Sequence, residues 1–330
     1  MKKVPELIWS LKEESKKIEG NTPVFIKTQQ IYDDNERNHI VFQGDNLEVI
    51  KGMANDYSEK IKIIYLDPPY NTGNEFIYSG GNLEEKYSNF KQSRDAGNAK
   101  ENRHFDWLNM IYPRLLLSKE LLNENGVIIV SIDDNEYANL RLILDEIYGE
   151  EKYIGTFVWH RRNYDESNEG IISHQHEYIV VYGNPKFDSE KTKRISSWIY
   201  KEYEQNDTTT EAMKLDYQYT GKQDLVDILE QDIGMNYPKP VKMLKQLVNY
   251  FSEPNDVILD LFAGSGTTGQ AIVELNKESN SFRKCILVQI PKKTKKGGYD
   301  DISKITIDRI TRAIMKNGEN ESISVYQIRK

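Results

Sequence analysis

The chain has 330 residues, 38% of them apolar, and no apolar run long enough to cross a bilayer; one large α/β domain with a small insertion is allowed, and no membrane span is predicted. A single cysteine, Cys285, excludes an internal disulfide, and the absence of a Cys/His cluster predicts no metal site, so a reducing, cytoplasmic setting is expected. The net charge of −8 argues against a uniformly basic nucleic-acid binder, yet from Arg283 onward twelve Lys and Arg stand against five Asp and Glu, a basic end able to follow phosphates.

The opening Met1-Lys2-Lys3-Val4-Pro5-Glu6 lacks the apolar core of a secretory leader, and the spacing of Leu7, Ile8 and Leu11 predicts a helical extension within 1–30. A strand follows at 39–42, and Asp45 suits the N-cap of the next helix. The apolar run 61–66 reads as a strand that stops abruptly at Asp67-Pro68-Pro69-Tyr70-Asn71. The polar stretch 71–104 is too long for an ordinary connection and reads as a mobile loop over a site. Then come a helix over 107–122, a strand at 127–132, a helix over 135–148 and two closely spaced strands, 154–159 and 178–182, expected as an antiparallel pair at one edge. Residues 185–236 carry no such pattern and read as a small insertion. Lys239-Pro240-Val241 opens a helix, with proline in the first turn. The strand 257–261 runs into Phe262-Ala263-Gly264-Ser265-Gly266-Thr267, a helix follows to Asn276, and a strand at 286–290 precedes Lys292-Lys293-Thr294-Lys295-Lys296. A helix over 303–316 and a tail, 317–330, complete the chain. Strands alternating with helices predict a mostly parallel sheet with helices on both faces.

Two turns carry the chemistry. Prolines fix φ and remove backbone donors, so the chain must leave strand 61–66 as a stiff extended turn. That turn brings together the Asp67 carboxylate, the Pro68 carbonyl and the Tyr70 ring, two acceptors and a flat surface suited to a planar group bearing an NH2. The second turn, Gly264 to Gly266, lets the backbone approach a ligand closely ahead of a helix N-terminus. It lacks the Lys-Ser/Thr of a phosphate-binding loop and the glycine spacing of dinucleotide folds.

With these two motifs the chain resembles the DNA amino-methyltransferases, whose signatures Asp/Asn/Ser-Pro-Pro-Tyr/Phe and Phe-x-Gly-x-Gly read here as Asp67 to Tyr70 and Phe262 to Gly266. The catalytic signature comes first, the beta order. Longer stretches (Asp67 to Gly73, Trp107 to Leu116, Val130 to Gly149, His176 to Tyr182, Lys239 to Leu247) look similar to the modification subunit of type III restriction–modification systems. The resemblance implies a Rossmann-like class I methyltransferase fold, circularly permuted, with a mostly parallel seven-stranded sheet and an antiparallel edge. It divides the chain into a catalytic half at 31–184, a shortened target-recognition insertion at 185–236 and a cofactor half at 237–316. The implied activity is transfer of a methyl group from S-adenosylmethionine to the N6 of a flipped-out adenine, since Asp in the first signature position favours adenine. N4-cytosine methylation and a catalytically idle DNA-binding partner are the alternatives.

The resemblance assigns catalysis to Asp67, Pro68, Pro69 and Tyr70, and cofactor binding to Asp45, Asp67, Lys239, Asp260, Phe262, Ala263, Gly264, Ser265, Gly266, Thr267 and Gln289. Candidate DNA contacts are Asn71, Arg161, Arg162, Lys292, Lys293, Lys295 and Lys296. Expected partners are double-stranded DNA, a second copy of the chain and a restriction (helicase-nuclease) subunit, in a bacterial, archaeal or phage setting. Trp107 and Trp159 read as packing residues, and His104, His174 and His176 as loop or core histidines.

Overall fold

The computed structural model describes residues 6–18, 22–33, 35–72, 99–160, 175–186, 195–201, 211–215, 220–235, 237–318 and 320–329. The strands are β1 (Phe25–Ile31), β2 (Asn38–Gln43), β3 (Ile61–Leu66), β4 (Leu122–Ile132), β5 (Tyr153–His160), β6 (His176–Gly183), β7 (Ile195–Lys201), β8 (Glu211–Leu215), β9 (Val257–Asp260), β10 (Lys284–Gln289) and β11 (Ser322–Ile328). Helices α1 (Lys12–Lys16), α2 (Asn46–Tyr57), α3 (Ala99–Lys119), α4 (Tyr137–Tyr148), α5 (Thr220–Leu229), α6 (Val241–Phe251), α7 (Thr267–Glu278) and α8 (Ile302–Asn317) connect them.

The strands form one sheet in the order β1-β11-β2-β10-β9-β3-β4-β6-β5-β7-β8. Its centre is the pair β3 and β9, parallel, with Tyr65 opposite Asp260. From β9 the sheet grows through β10 to β2, and from β3 it grows the other way through β4. Strand order therefore reverses between β3 and β9, and a crevice opens beyond their carboxyl ends, where open α/β sheets hold ligands. The two signature turns leave the sheet at this point, although about two hundred residues separate them in the chain.

Period-two alternation explains the layering. Ile63 and Tyr65 face one side, with Val127, Ile129, Leu244, Ile272 and Ile310 of β4, α6, α7 and α8. Ile64 and Leu66 face the other, with Val49, Trp107, Ile111 and Leu140 of α2, α3 and α4. Both faces are covered, which is why the central strands read as continuous apolar runs rather than alternating ones.

All seven expected strands are present, and four more extend the sheet to eleven among the described residues. The stretch 1–30 is not a helical extension: α1 holds five residues, and β1 pairs antiparallel with β11. The stretch 317–330, expected as a tail, contains β11, which lies beside β2 with Ile323 and Val325 fully buried. The antiparallel strand β6 sits between β4 and β5 rather than at an edge, since β7 continues the sheet beyond β5 and β8 beyond β7. The insertion 185–236 is not set apart from the core. Leu225, Ile228 and Leu229 of α5, with Ile233 just after it, are buried with α6 and α8. Helix α3 starts at Ala99, inside the stretch expected as a loop; residues 73–98 lie outside those described.

Candidate active site at the carboxyl edge of the sheet

The turn after β3 is held by two donors of α3 and by the buried Glu136 carboxylate just ahead of α4. Trp107 of α3 donates its indole N–H to the Pro69 carbonyl (2.8 Å), so this tryptophan does more than pack. Arg103 donates to the Asn71 carbonyl (3.2 Å). Asn71, with φ +59°, is buried and gives its amide to Glu136, which also takes His104 Nδ1 (2.8 Å) and Asn139 (2.7 Å). Asn71 thus anchors the turn from within instead of facing outward toward DNA.

Tyr70 swings its hydroxyl back under the turn, donating to Asp67 Oδ1 (2.9 Å) or Glu177 Oε2 (3.1 Å). Lys239 reaches the same point. Its ammonium lies 2.6 Å from the Tyr70 hydroxyl, 3.0 Å from Asp67 Oδ1 and 3.1 Å from Glu177 Oε2. Burial opposes the Lys239 charge, but the Asp67 and Glu177 carboxylates outweigh it and hold the ammonium above its ordinary pKa. Burial, with the neighbouring Asp67 and Glu177 charges, keeps the Tyr70 phenol protonated far above its ordinary value. The ammonium stands 4.8 Å from the Tyr70 ring centroid, nearer the hydroxyl than the ring, and so lies toward the hydroxyl end of the ring rather than over its middle.

A pattern of occupied and open acceptors results. Asp67 Oδ1, Pro69 O and Asn71 O are all taken. Among the described residues no donor reaches Asp67 Oδ2 or the Pro68 carbonyl. Asp67 keeps 25% of its side chain exposed, so the open oxygen is approachable from the crevice.

The turn after β9 is built differently. Asp260 is buried, accepting from Phe262 N–H (2.9 Å) and the Thr268 hydroxyl (2.5 Å). Burial raises its pKa to about 7, against the pull of those two hydrogen bonds and with a smaller push from Asp67. Gly264 (φ +55°) faces open space: a Cβ there would meet only the Phe262 carbonyl, at 3.8 Å. Gly266 (φ +85°) is a glycine for another reason, since a Cβ would come 3.0 Å from the Thr306 carbonyl of α8. Behind the loop, buried Arg309 of α8 donates to Ser265 (2.9 Å), Thr267 (2.7 Å) and Gln270 (2.7 Å), turning Ser265 and Thr267 toward the core. Burial lowers the Arg309 pKa to about 10. Phe262 and Ala263 are buried, Phe262 among the side chains of the α2–α4 face.

Three further expected cofactor residues have internal partners. Gln289 accepts from Gly264 N–H (2.7 Å) and donates to the Ile290 carbonyl (3.0 Å), bracing the loop. Asp45 caps α2 through Leu47 N–H (2.8 Å) and pairs with Arg114 (2.9 Å). The N-terminus of α6 is capped by Asp224, which accepts from Val241 N–H (2.9 Å); Lys239, just before it and assigned to the cofactor, faces the Asp67 turn instead. Lys292, Lys293, Lys295 and Lys296 are exposed beyond the carboxyl end of β10, on the edge that carries both turns. Arg161 and Arg162 lie outside the described residues.

Glu177, Glu136 and Arg309 were not anticipated. Glu177 left a readable sign: it shares the parity of Ile179 and Val181, so alternation places a carboxylate on the buried face of β6. Glu136, just ahead of α4, and Arg309, on α8, are each one charge among many, and only packing singles them out.

The comparisons with known proteins agree with this architecture. The DNA methylase family (N6_N4_Mtase) matches residues 61–303. The StyLTI Mod subunit of a type III restriction-modification enzyme, from Salmonella typhimurium, is 28% identical over 379 aligned positions covering 86% of this chain and 58% of that protein. The EcoP15I Mod subunit from Escherichia coli is 28% identical over 442 positions, covering 92% of this chain and 67% of its own length. The chain thus spans about three fifths to two thirds of these relatives, and alignments longer than its 330 residues show that they carry extra segments. Among solved structures, PvuII DNA methyltransferase (cytosine-N4-specific) superposes with a TM-score of 0.52 at 14% identity, over 88% of this chain and 98% of that one, a likeness of fold. A family match over most of the chain, on a sheet whose two signature turns meet at one crevice, places this protein in the DNA methylase family.

Proposed function

We propose that the protein is a DNA adenine-N6 methyltransferase that uses S-adenosylmethionine. The observation that carries this is the pair of acceptors that no donor reaches among the described residues, Asp67 Oδ2 and Pro68 O, beside Asp67 Oδ1, Pro69 O and Asn71 O, which are occupied. An exocyclic NH2 is a poor nucleophile because its lone pair is spread into the ring. Two acceptors that take its two hydrogens let the nitrogen pyramidalise and recover that pair, and rigid placement supplies the rest of the rate. When bound, S-adenosylmethionine would supply an activated methyl group on a sulfonium, with sulfur taking back the C–S electron pair and the nitrogen lone pair providing the electrons of the new bond. The amine becomes acidic on gaining the methyl, and one N–H proton then leaves by way of Asp67 Oδ2 to water.

The residues beyond β9 fit such a cofactor. Gly264 opens a cradle that any side chain would fill, and Asp260 holds a buried carboxyl ready to ionise against an ammonium. Target adenine must leave the duplex stack to reach the turn, and Tyr70, its hydroxyl tethered below, presents its ring to the base. Asp at position 67 favours adenine over cytosine. By likeness to the Mod subunits, the setting is modification within a restriction–modification system or apart from one, in the cytoplasm, on duplex DNA.

The test replaces Asp67 with Ala and measures methyl transfer to duplex DNA beside calorimetric cofactor binding. Transfer should fall by roughly a thousandfold while the cofactor affinity stays close to wild type. Turnover near wild type would contradict the proposal.

A further inference from the structure

We infer that Glu136 is a positioning residue for methyl transfer, holding the Asn71 end of the catalytic turn so that the Tyr70 ring is set for the target base. The inference rests on the reading of the turn as a methyl-transfer site.

Glu136 is the N-cap residue of α4, yet its side chain makes no cap hydrogen bond. A polar side chain at that position ordinarily turns back onto the free N–H groups of its own helix. Here it is turned inward and wholly buried, with both oxygens in use. Oε1 accepts from the Asn71 carboxamide and lies 2.8 Å from His104 Nδ1, while Oε2 accepts from Asn139 (2.7 Å), three residues further along the chain. The sheet explains how Glu136 reaches the turn. Strand β4, which leads toward α4, runs parallel beside β3 with Val130 opposite Leu66, so both strands deliver their next residues to the same place.

The turn needs such a hold. Asn71 has φ +59°, a left-handed backbone that asparagine tolerates better than most residues but does not favour. Helix α3 pins the main chain, through Trp107 on the Pro69 carbonyl and Arg103 on the Asn71 carbonyl. Glu136 pins the Asn71 side chain. Tyr70 lies between these fixed points, with its hydroxyl tethered at the far end of the ring. Rate that comes from placement is lost when the placed group shifts by about an ångström. What Glu136 supplies is an acceptor in a fixed position, which a carboxamide can supply as well.

The test compares Glu136→Ala, Asn71→Ala, their double variant and Glu136→Gln in single-turnover methyl transfer to duplex DNA. Each alanine variant should lose roughly a hundredfold in rate, and the double variant no more than either, because both remove one contact. Glu136→Gln should recover most of the rate: its carbonyl can accept from Asn71, and Asn139 can turn its amide to meet the new NH2. Affinities for DNA and for S-adenosylmethionine should stay close to wild type in all four. Asn71→Ala and Glu136→Gln carry the test even if Glu136→Ala fails to fold. Losses that multiply in the double variant, or weaker DNA binding by Asn71→Ala, would show Asn71 acting outside this contact and overturn the inference. A rate as low in Glu136→Gln as in the alanine variants would assign Glu136 a charge or proton role and overturn it too. So would a lower thermal midpoint with an unchanged rate, the mark of a structural fastening. Wild type that transfers no methyl group would overturn the site reading itself, and the inference with it.

Discussion

At the scale of single residues, the site depends on how oxygens are shared. Asp67 spends one oxygen on Tyr70 and Lys239 and keeps the other open, an asymmetry that the string Asp-Pro-Pro-Tyr does not display. The sequence shows that a carboxylate and a proline carbonyl leave β3 together; besides Tyr70, the partners gathered there, Glu177 and Lys239, come from more than a hundred positions away. Asp260 yields a pH prediction. Its carboxyl titrates at about 7 in the fold against an ordinary 3.8, so the folded protein holds an extra proton between those values. The stability owed to that proton is present in full below the ordinary value and is lost as pH rises through about 7. Binding a cofactor ammonium against Asp260 must expel the proton. Affinity should therefore climb as pH approaches about 7 and flatten above it. Calorimetry at pH ~6 in buffers of different ionisation enthalpy should register proton release, and Asp260→Asn should remove it. At Gly264, Leu should block cofactor uptake altogether, because the side chain would enter the space that faces the crevice; normal binding by that variant would displace the cofactor from this loop.

At the scale of elements, what was legible followed from burial on both faces. Strands β3, β9 and β10 are continuous apolar runs, and their bounds were read to within about two residues. Strand β1 escaped because it is an edge, with four of its seven residues exposed and no alternation to see. Strand β11 does alternate, with Ile323 and Val325 inward, but a short pattern after a long helix gave no sign that it would pair with β2. Helix α5 hid in a polar segment and contributes Asp224 as the cap of α6, a partner that no local pattern reveals. Asp224→Ala should cost about 1 kcal/mol through removal of the cap, seen as a lower thermal midpoint. It should also slow methyl transfer, since α6 begins two residues after Lys239. A drop in stability without any change in rate would show that Lys239 is held independently of its helix.

At the scale of the whole molecule, the chain is acidic and the substrate proposed for it is an acidic polymer, so the location of its positive charge matters. Lys292 to Lys296 lie exposed on the edge that carries both signature turns. Replacing Lys292, Lys293, Lys295 and Lys296 with Gln should weaken binding to all duplexes alike and flatten the salt dependence, by about 0.9 in slope for each phosphate no longer neutralised. An unchanged slope would leave these lysines as solvated surface. The short segment between β6 and α6 gives one subunit little area to hold and distort a duplex, so a homodimer is expected in light scattering, and a fully active monomer would contradict it. The most direct measurement is the chemical one. Duplex DNA incubated with the protein and S-adenosylmethionine, digested to nucleosides and weighed by mass spectrometry, should contain N6-methyladenine and no N4-methylcytosine above background. N4-methylcytosine alone, or DNA left unmodified by a protein that binds both substrates, would contradict the account.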